Sequence, residues 1–294
     1  MLSVVITAWN EAENLPRVVK SVTDLADEIV VIDTGSTDDT VAVANKLGCH
    51  VYHHKNTGIV EPVRNFSISK AKGDWILLLD ADEEVSPSLA KAISKAIETD
   101  SADYYRLPRK NIIFGKWIKS SHWWPDYVYR LFKKGFIVWG QAIHSVPVTR
   151  GRGADFPPDS DHSLVHHHYS SVFQYVDRLN RYTDHQLQLL IGQPVKFSWP
   201  MLLTKPAEEF LRQFFARQGY KDGVHGLALA GLQAFSEAVL YLKLWQVSGF
   251  PEEQVSLSAF NRTSTSLFKQ LRGWIFEQKG PVYKIWRKIK MFII

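Results

Sequence analysis

Four carboxylates stand within five residues at positions 80–84, Asp-Ala-Asp-Glu-Glu, directly after an apolar run. The run, residues 76–79, is short and bounded by polar residues, which is typical of a strand covered on both faces. The acids then lie at the carboxyl end of that strand. In open parallel sheets this end faces the ligand crevice, where Asp80 and Asp82 would hold a divalent cation against phosphate oxygens. The alternative interpretation is a solvated acidic loop that caps a helix beginning near Ser86.

Polar side chains also follow two earlier predicted strands. Asn10 and Glu11 come just after the strand Leu2–Ala8, and Asp33 follows the strand at residues 28–32. Because the carboxyl ends of parallel strands share one edge of a sheet, we expect these groups to face the same crevice as the acidic segment. Three strand ends of this kind favour a functional site over a solvated loop.

The elements that must position these groups alternate between strand and helix over the first hundred residues. We predict strands at residues 2–8, 28–32, 49–53 and 75–79. We predict one helix that begins at residue 15 and three more at residues 38–47, 62–71 and 86–99. This order implies right-handed crossovers and a parallel sheet with helices on its faces, which is an α/β fold. No G-x-G-x-x-G or Walker A pattern follows a strand, so a dehydrogenase or a P-loop enzyme is disfavoured.

Short strands are predicted at residues 105–108 and 127–132, and a run of three histidines follows at residues 166–168. The run resembles a metal-binding sequence. Adjacent residues in a strand point to opposite faces, so at most one or two of the three can serve one ion.

From residue 172 the pattern is helical, with helices predicted at residues 175–190, 202–215 and 227–245. No run of about 18 uncharged apolar residues occurs, so we expect these helices to pack together or to lie in a membrane interface rather than to cross it. The chain is therefore predicted to form a first domain at residues 1–170, which holds the crevice, and a helical region at residues 171–294.

Composition places the chain among folded proteins, with 45% hydrophobic and 22% charged residues. The single cysteine, Cys49, excludes an intrachain disulfide. The N-terminus runs into a strand pattern without the features of a signal peptide, so we expect a cytosolic protein.

The positive charge is concentrated in a C-terminal tail, residues 262–294. The tail carries eight Lys or Arg and one acid among many aromatic and aliphatic residues, whereas the rest of the chain carries 27 basic and 29 acidic groups. This combination indicates an amphipathic segment in peripheral contact with an anionic membrane. Nucleic acid is disfavoured, because no recognised binding motif accompanies the charge.

With these motifs, the chain resembles the family-2 inverting glycosyltransferases of the GT-A fold, especially the bacterial branch that contains lipopolysaccharide core β-1,4-glucosyltransferases. The matching segments extend over about residues 2–245. They lie at residues 4–15, 26–38, 63–66, 74–83, 125–132, 143–144, 168–169 and 179–182. The resemblance implies a Rossmann-like GT-A catalytic domain with a helical, membrane-associating C-terminal extension.

The resemblance also implies a nucleotide-sugar pocket. Asp33 would hydrogen-bond the base or the ribose of the donor. The same pocket would include Ala8, Asn10 and Glu11. Arg64 would add a contact to a phosphate of the diphosphate.

Asp80 and Asp82 match the family's DxD motif. Asp82 would bind Mg²⁺ or Mn²⁺ on the diphosphate, while Asp80 would contact the ribose or the metal shell. His144 resembles a histidine that completes the metal shell in such enzymes. The cation would neutralise the charge that develops on the nucleoside diphosphate as it leaves.

An inverting transfer also needs a general base that removes the proton of the acceptor hydroxyl. Asp126 is the candidate, since it stands where the family often has an acidic residue upstream of an Arg-Leu pair. It is preceded by proline here, where the family has glutamate. Ser145 stands where the branch commonly has a glutamate after the histidine.

The sequence therefore predicts a metal-dependent inverting hexosyltransferase that uses a nucleotide-sugar, UDP-linked, and acts on a lipid-linked or lipopolysaccharide-type glycan. It would be cytoplasmic and peripheral on the inner face of the cytoplasmic membrane. Two alternatives stay open: a polyprenyl-phosphate glycosyltransferase, and a nucleotide-binding protein of the same fold without turnover.

Overall fold

The structure is a computed structural model that describes residues 1–58, 60–140 and 146–278. The strands are β1 Leu2–Ala8, β2 Glu28–Asp33, β3 His50–His53, β4 Trp75–Asp80, β5 Glu83–Glu84, β6 Tyr104–Ile113, β7 Lys116–Trp117, β8 Asp126–Lys133, β9 Ile137–Val138, β10 Val148–Thr149, β11 Gly153–Asp155 and β12 Leu164–Tyr169. The helices are α1 Leu15–Val22, α2 Thr40–Lys46, α3 Glu61–Lys70, α4 Pro87–Thr99, α5 Val172–Ile191, α6 Met201–Leu211, α7 Val224–Val247 and α8 Leu257–Gln278.

Eight strands follow one another in the main sheet in the order β3-β2-β1-β4-β8-β6-β12-β5. The first four are parallel, as the strand–helix alternation predicts. Strand β8 is antiparallel to both β4 and β6. The predicted α/β class with a mostly parallel sheet, flanking helices and C-terminal helices is therefore confirmed.

The central strands are buried on both faces, which explains their continuous apolar sequences. On β4, Leu77 and Leu79 pack into a core with α1 and α4, while Ile76 and Leu78 pack into a second core with Val63 of α3. Side chains alternate between the two faces because successive residues of a strand point in opposite directions.

The chain divides into two compact units. The first consists of residues 1–112 and 123–168, and the second of residues 113–122 and 169–294. The second unit thus includes residues 113–122, whereas the predicted boundary after residue 170 places this segment in the first domain. The segment belongs there because Asp222, which is buried, accepts hydrogen bonds from the backbone N–H groups of Lys119 and Ser120.

Helices α5 to α8 belong to the second unit, where Leu187 of α5 packs against Leu240 and Leu244 of α7. Among the described residues, α7 is the one helix that is long and apolar enough to cross a membrane, although core helices of soluble proteins pass the same test. From its polar residues, the sequence predicts that this helix packs against others or lies in a membrane interface. Its Lys243 donates hydrogen bonds to Asn180 and Asp184 of α5, so this charge faces a neighbouring helix.

Candidate functional site

The carboxyl ends of three parallel strands meet at one edge of the main sheet. Strand β1 lies between β2 and β4, and in the register of the sheet Ala8 is opposite Asp33 while Thr7 is opposite Asp80. Asp33 and Asp80 thus flank the same strand end, about two strand spacings or 10 Å apart. The sheet brings the predicted groups to one edge.

Asn10, Glu11 and Asp33 form one group at this edge. Asn10 donates its N–H to the hydroxyl of Ser36 and accepts from the N–H of Thr37 at its side-chain oxygen, at 2.8 and 2.7 Å. Its backbone has φ 55°, a left-handed conformation that asparagine tolerates better than most residues. Asn10 is therefore held against the turn that follows β2, next to Asp33.

Asp33 is a buried acceptor that stays ionised. Its oxygens accept the N–H groups of Gly35 and Ser36, and Nδ1 of His53 lies 3.1 Å from Oδ2. Burial raises the pKa of Asp33, but the hydrogen bonds from Ser36, His53 and Gly35 outweigh it and hold the pKa below its ordinary value. The site thus presents a fixed carboxylate at the end of β2.

The acidic segment after β4 is not a solvated loop. Asp82 and Glu83 are buried. The N-cap of α4 is Ser86, whose hydroxyl accepts the N–H of Leu89 at 3.2 Å, so none of the acids is needed for that role. The alternative interpretation of these carboxylates as helix-capping, solvated groups is wrong.

Two arginines hold Asp80. Arg64 of α3 lies 3.5 Å from Oδ1, and Arg130 of β8 donates to Oδ2. Burial raises the pKa of Asp80, but the positive charges of Arg130 and Arg64 outweigh it and hold the pKa below its usual range. Both oxygens of Asp80 thus face guanidinium groups.

Arg130 is fully buried and also donates to Glu83 at 2.8 Å. We expect Arg130→Met to lower the free energy of unfolding by about 3–5 kcal/mol, because Asp80 and Glu83 would lose the buried arginine that donates to both of them. The arginines that remain, Arg64 and Arg109, lie 3.5 and 3.6 Å from these acids. Urea denaturation measures the change. Arg106→Met is the matched control, since its ion pair with Asp155 is half-exposed and such pairs contribute about 0–1 kcal/mol. Equal losses in the two variants would contradict the structural role of Arg130.

Asp82 forms a compact cluster with two histidines of β12. One ligand atom from each of Asp82, His166 and His168 can be chosen so that all three lie within 4.8 Å of one another. His167 points away and its Nε2 lies 3.0 Å from Glu84. The prediction that at most two of the three histidines can share an ion agrees with this geometry. Their pairing with Asp82 was not predicted, because the first of them lies 84 positions after Asp82 in the chain.

This cluster suits a divalent cation. One carboxylate and two imidazoles are the mixed oxygen and nitrogen ligands used by first-row divalent metals. The three side chains are buried or half-buried, and they approach from the acidic segment and from one face of a strand. Two of the three ligands lie on strand β12, and a set of side chains that is already clustered needs little reorganisation to bind an ion.

Asp126 opens β8 and lies beside strand β6. Its Oδ2 accepts from Arg109, with N–O distances of 2.9 and 2.6 Å, and from Nδ2 of Asn111 at 3.1 Å. The side chain is 25% exposed. All of these contacts go to Oδ2, so Oδ1 has no hydrogen-bond partner among those that the described residues provide. A carboxylate that is oriented through one oxygen can accept a proton at the other.

The structure thus brings the predicted residues into two groups. The first contains Ala8, Asn10, Glu11 and Asp33. The second contains Arg64, Asp80, Asp82 and Asp126. His144 and Ser145 lie outside the described residues, and the role of His144 stays a prediction. The residues that the sequence prediction missed, Asn111, Arg109, Arg130 and Glu83, link the members of the second group.

Comparison with known proteins gives matches along most of the chain. The sequence profile of Glycosyl transferase family 2 matches residues 3–151. An uncharacterized glycosyltransferase of Rickettsia typhi is 30% identical over 259 residues, which cover 84% of this chain and 87% of the relative. A cholesterol galactosyltransferase of Borreliella burgdorferi is 28% identical over 110 residues, 35% of this chain and 30% of that protein. Among solved structures, glucosyl-3-phosphoglycerate synthase from Mycobacterium tuberculosis, in complex with Mn²⁺, UDP and glucosyl-3-phosphoglycerate, is 24% identical with a TM-score of 0.33, over 37% of this chain and 44% of that chain.

Proposed function

Since the chain belongs to glycosyl transferase family 2 and has a GT-A fold, we propose that it is a metal-dependent, inverting hexosyltransferase. The donor is a nucleotide-sugar, UDP-linked, and the acceptor is a hydroxyl of a lipid-linked or lipopolysaccharide-type glycan. One observation carries the proposal: Asp82, the second aspartate of the DxD motif, lies in a preformed cluster with His166 and His168.

The edge formed by β1 and β2 binds the nucleoside of the donor. The fixed carboxylate of Asp33 accepts hydrogen bonds from base or ribose, beside Asn10 and Glu11. Ala8, which is buried, supports this wall at the end of β1. Arg64, whose guanidinium lies 3.5 Å from Oδ1 of Asp80, would contact a phosphate of the diphosphate.

Asp82, His166 and His168 would hold the cation, which neutralises the charge that builds on the diphosphate as the sugar leaves. The two imidazoles favour Mn²⁺ over Mg²⁺, because Mg²⁺ prefers oxygen ligands. Asp80, whose oxygens contact Arg64 and Arg130, would contact the ribose rather than the ion. His144 remains a candidate fourth ligand.

Asp126 removes the proton of the acceptor. The acceptor oxygen forms a bond to the anomeric carbon, the bond from that carbon to the diphosphate breaks, and the proton passes to Oδ1 of Asp126. Arg109 and Asn111 hold the other oxygen and keep the carboxylate oriented. Attack from the face opposite the leaving group inverts the anomeric configuration.

We expect a UDP-sugar to stabilise the protein in thermal-shift assays only when Mn²⁺ is present, because the diphosphate and the cation bind together. His168→Ala should abolish the Mn²⁺-dependent shift. His167→Ala is the matched control, since the side chain of His167 points to Glu84.

Radiolabelled sugar transfer that persists undiminished in EDTA and in His168→Ala would refute the proposal. An acid-labile sugar phosphate as product would identify a polyprenyl-phosphate transferase instead.

The protein acts at the cytoplasmic face of the cytoplasmic membrane as a peripheral enzyme. Helix α8 supports this proposal. Leu257, Phe268 and Ile275 are exposed and spaced by three and two helical turns, so they share one stripe. The exposed basic residues of this helix are Arg262, Lys269 and Arg272. The relative named as a cholesterol galactosyltransferase likewise supports an acceptor that carries a lipid.

We expect the triple variant Arg262→Glu, Lys269→Glu and Arg272→Glu to be released from anionic vesicles, because each basic residue near such a surface contributes about 1 kcal/mol. Vesicle sedimentation measures the bound fraction. The control with the same charge change replaces three exposed lysines of the first unit by glutamate: Lys46, Lys91 and Lys95. Equal release of the two triple variants would indicate that α8 is not the contact.

A further inference from the structure

We propose that Asn111 is a positioning residue that couples the candidate base Asp126 to the candidate metal ligand His166. The inference rests on the proposed function, since it assigns a role relative to that site. Asn111 lies on β6, between β8, which carries Asp126, and β12, which carries His166. It is 1% exposed.

Every hydrogen-bonding group of the Asn111 side chain has a partner. Nδ2 donates to the carbonyl oxygen of Trp123 at 2.9 Å and to Oδ2 of Asp126 at 3.1 Å. Oδ1 lies 2.6 Å from Nδ1 of His166. A flipped amide would place its oxygen against a carbonyl and a carboxylate, two acceptors. The amide orientation is therefore determined by its surroundings.

This orientation determines the tautomer of His166. The oxygen of Asn111 can only accept a hydrogen bond, so Nδ1 of His166 must carry a proton. The lone pair of a neutral ring is then on Nε2. That atom lies 3.4 Å from Oδ1 of Asp82 and 3.2 Å from Nδ1 of His168. Nε2 thus faces the two other candidate ligands in the form that binds a metal.

Asn111 acts on both His166 and Asp126. It supplies the acceptor that metal-binding histidines need at their second nitrogen, and such outer partners raise metal affinity. Its amide also donates to the oxygen of Asp126 that Arg109 binds. One amide thereby contacts both the base on β8 and the ligand on β12. Binding of the ion and orientation of the base therefore depend on the same side chain.

Two measurements test this role. The first is ¹⁵N NMR of histidine in the wild-type protein, with His166 assigned by comparison with His166→Gln. We expect a proton on Nδ1 and none on Nε2 when the ring is neutral. A neutral ring protonated on Nε2 would overturn the assignment.

The second is calorimetric titration of Mn²⁺ in the presence of UDP. Asn111→Leu should weaken Mn²⁺ binding about 10–100-fold. Asn65→Leu is the matched control, because Asn65 also makes two side-chain hydrogen bonds, both to the backbone of Trp139, and should bind Mn²⁺ like the wild type. A folded Asn111→Leu variant within twofold of the wild type would overturn the inference, whereas a wild-type protein that binds no Mn²⁺ would overturn the proposed function.

The ¹⁵N measurement on the wild-type protein tests the inference even if Asn111→Leu does not fold. A third variant, Asn111→Asp, separates the two contacts of the amide. It retains the acceptor for His166, so Mn²⁺ should bind at least as tightly as in the wild type. The second carboxylate oxygen of the new aspartate replaces the Nδ2 group that donates to Asp126. Asp126 is then less well oriented, so transfer should slow at least about 10-fold at saturating Mn²⁺. Weaker Mn²⁺ binding in this variant, or unchanged transfer, would contradict the coupling.

Discussion

The variant Asp82→Asn is expected to transfer sugar at least about 10³-fold more slowly than the wild type, with the fold intact. Asparagine has almost the same shape but no charge, so the cluster with His166 and His168 loses its one carboxylate. Without that carboxylate the cation is held weakly, and the negative charge on the departing diphosphate is less well neutralised. Initial rates with a radiolabelled UDP-sugar measure the loss.

Glu84→Gln is the matched control for this experiment. Glu84 lies two residues further along and contacts His167 and Arg17 rather than the candidate ligands. The control should keep a rate within about threefold of the wild type. Asp82→Asn should also lose the Mn²⁺-dependent thermal shift. A normal rate combined with a normal shift would show that Asp82 does not hold the ion.

The variant Asp126→Asn is expected to lower kcat about 10²–10⁴-fold, which is the usual contribution of a general base. An amide cannot take the proton of the acceptor hydroxyl. Binding of the donor should change little, because the donor is held by other residues. Steady-state kinetics should therefore show a lower kcat with a donor KM close to that of the wild type.

Asp155→Asn is the matched control for Asp126→Asn. Asp155 also forms a two-point ion pair with an arginine, Arg106, but this pair lies in the half-exposed β6–β11 region. Its loss should leave kcat unchanged. If Asp126→Asn kept kcat within threefold of the wild type, the base would have to be another group.

The local pattern of the sequence was sufficient for the first four strands and for the α/β class. Residues 76–79 form a continuous apolar run, and the strand Trp75–Asp80 is buried on both faces as this pattern requires. The convergence of Asp33 and Asp80 also followed from the pattern, because parallel strands joined by right-handed crossovers present their carboxyl ends on one edge.

The candidate site was predicted only in part. Alternation in a strand limited the histidine run to one or two ligands, but nothing local indicates that His166 and His168 meet Asp82. Strand β5, two residues long, pairs with β12 and brings them together, and such a short strand has no recognisable pattern. The partner of Lys243 was likewise not predictable, because Asp184 lies on α5, 59 positions earlier in the chain.

The sequence by itself determined the family, the parallel half of the sheet and the strand ends that carry Asn10, Asp33, Asp80 and Asp82, because these depend on motifs and periodicities within short segments. Only the tertiary structure decided which of these acids face arginines and which faces histidines. The reason is physical: Asp80 and Asp82 are equivalent as local sequence, and they differ because Arg130 and Arg64 reach one while β12 reaches the other. The link from Asp126 through Asn111 to His166 likewise exists only where β8, β6 and β12 lie side by side.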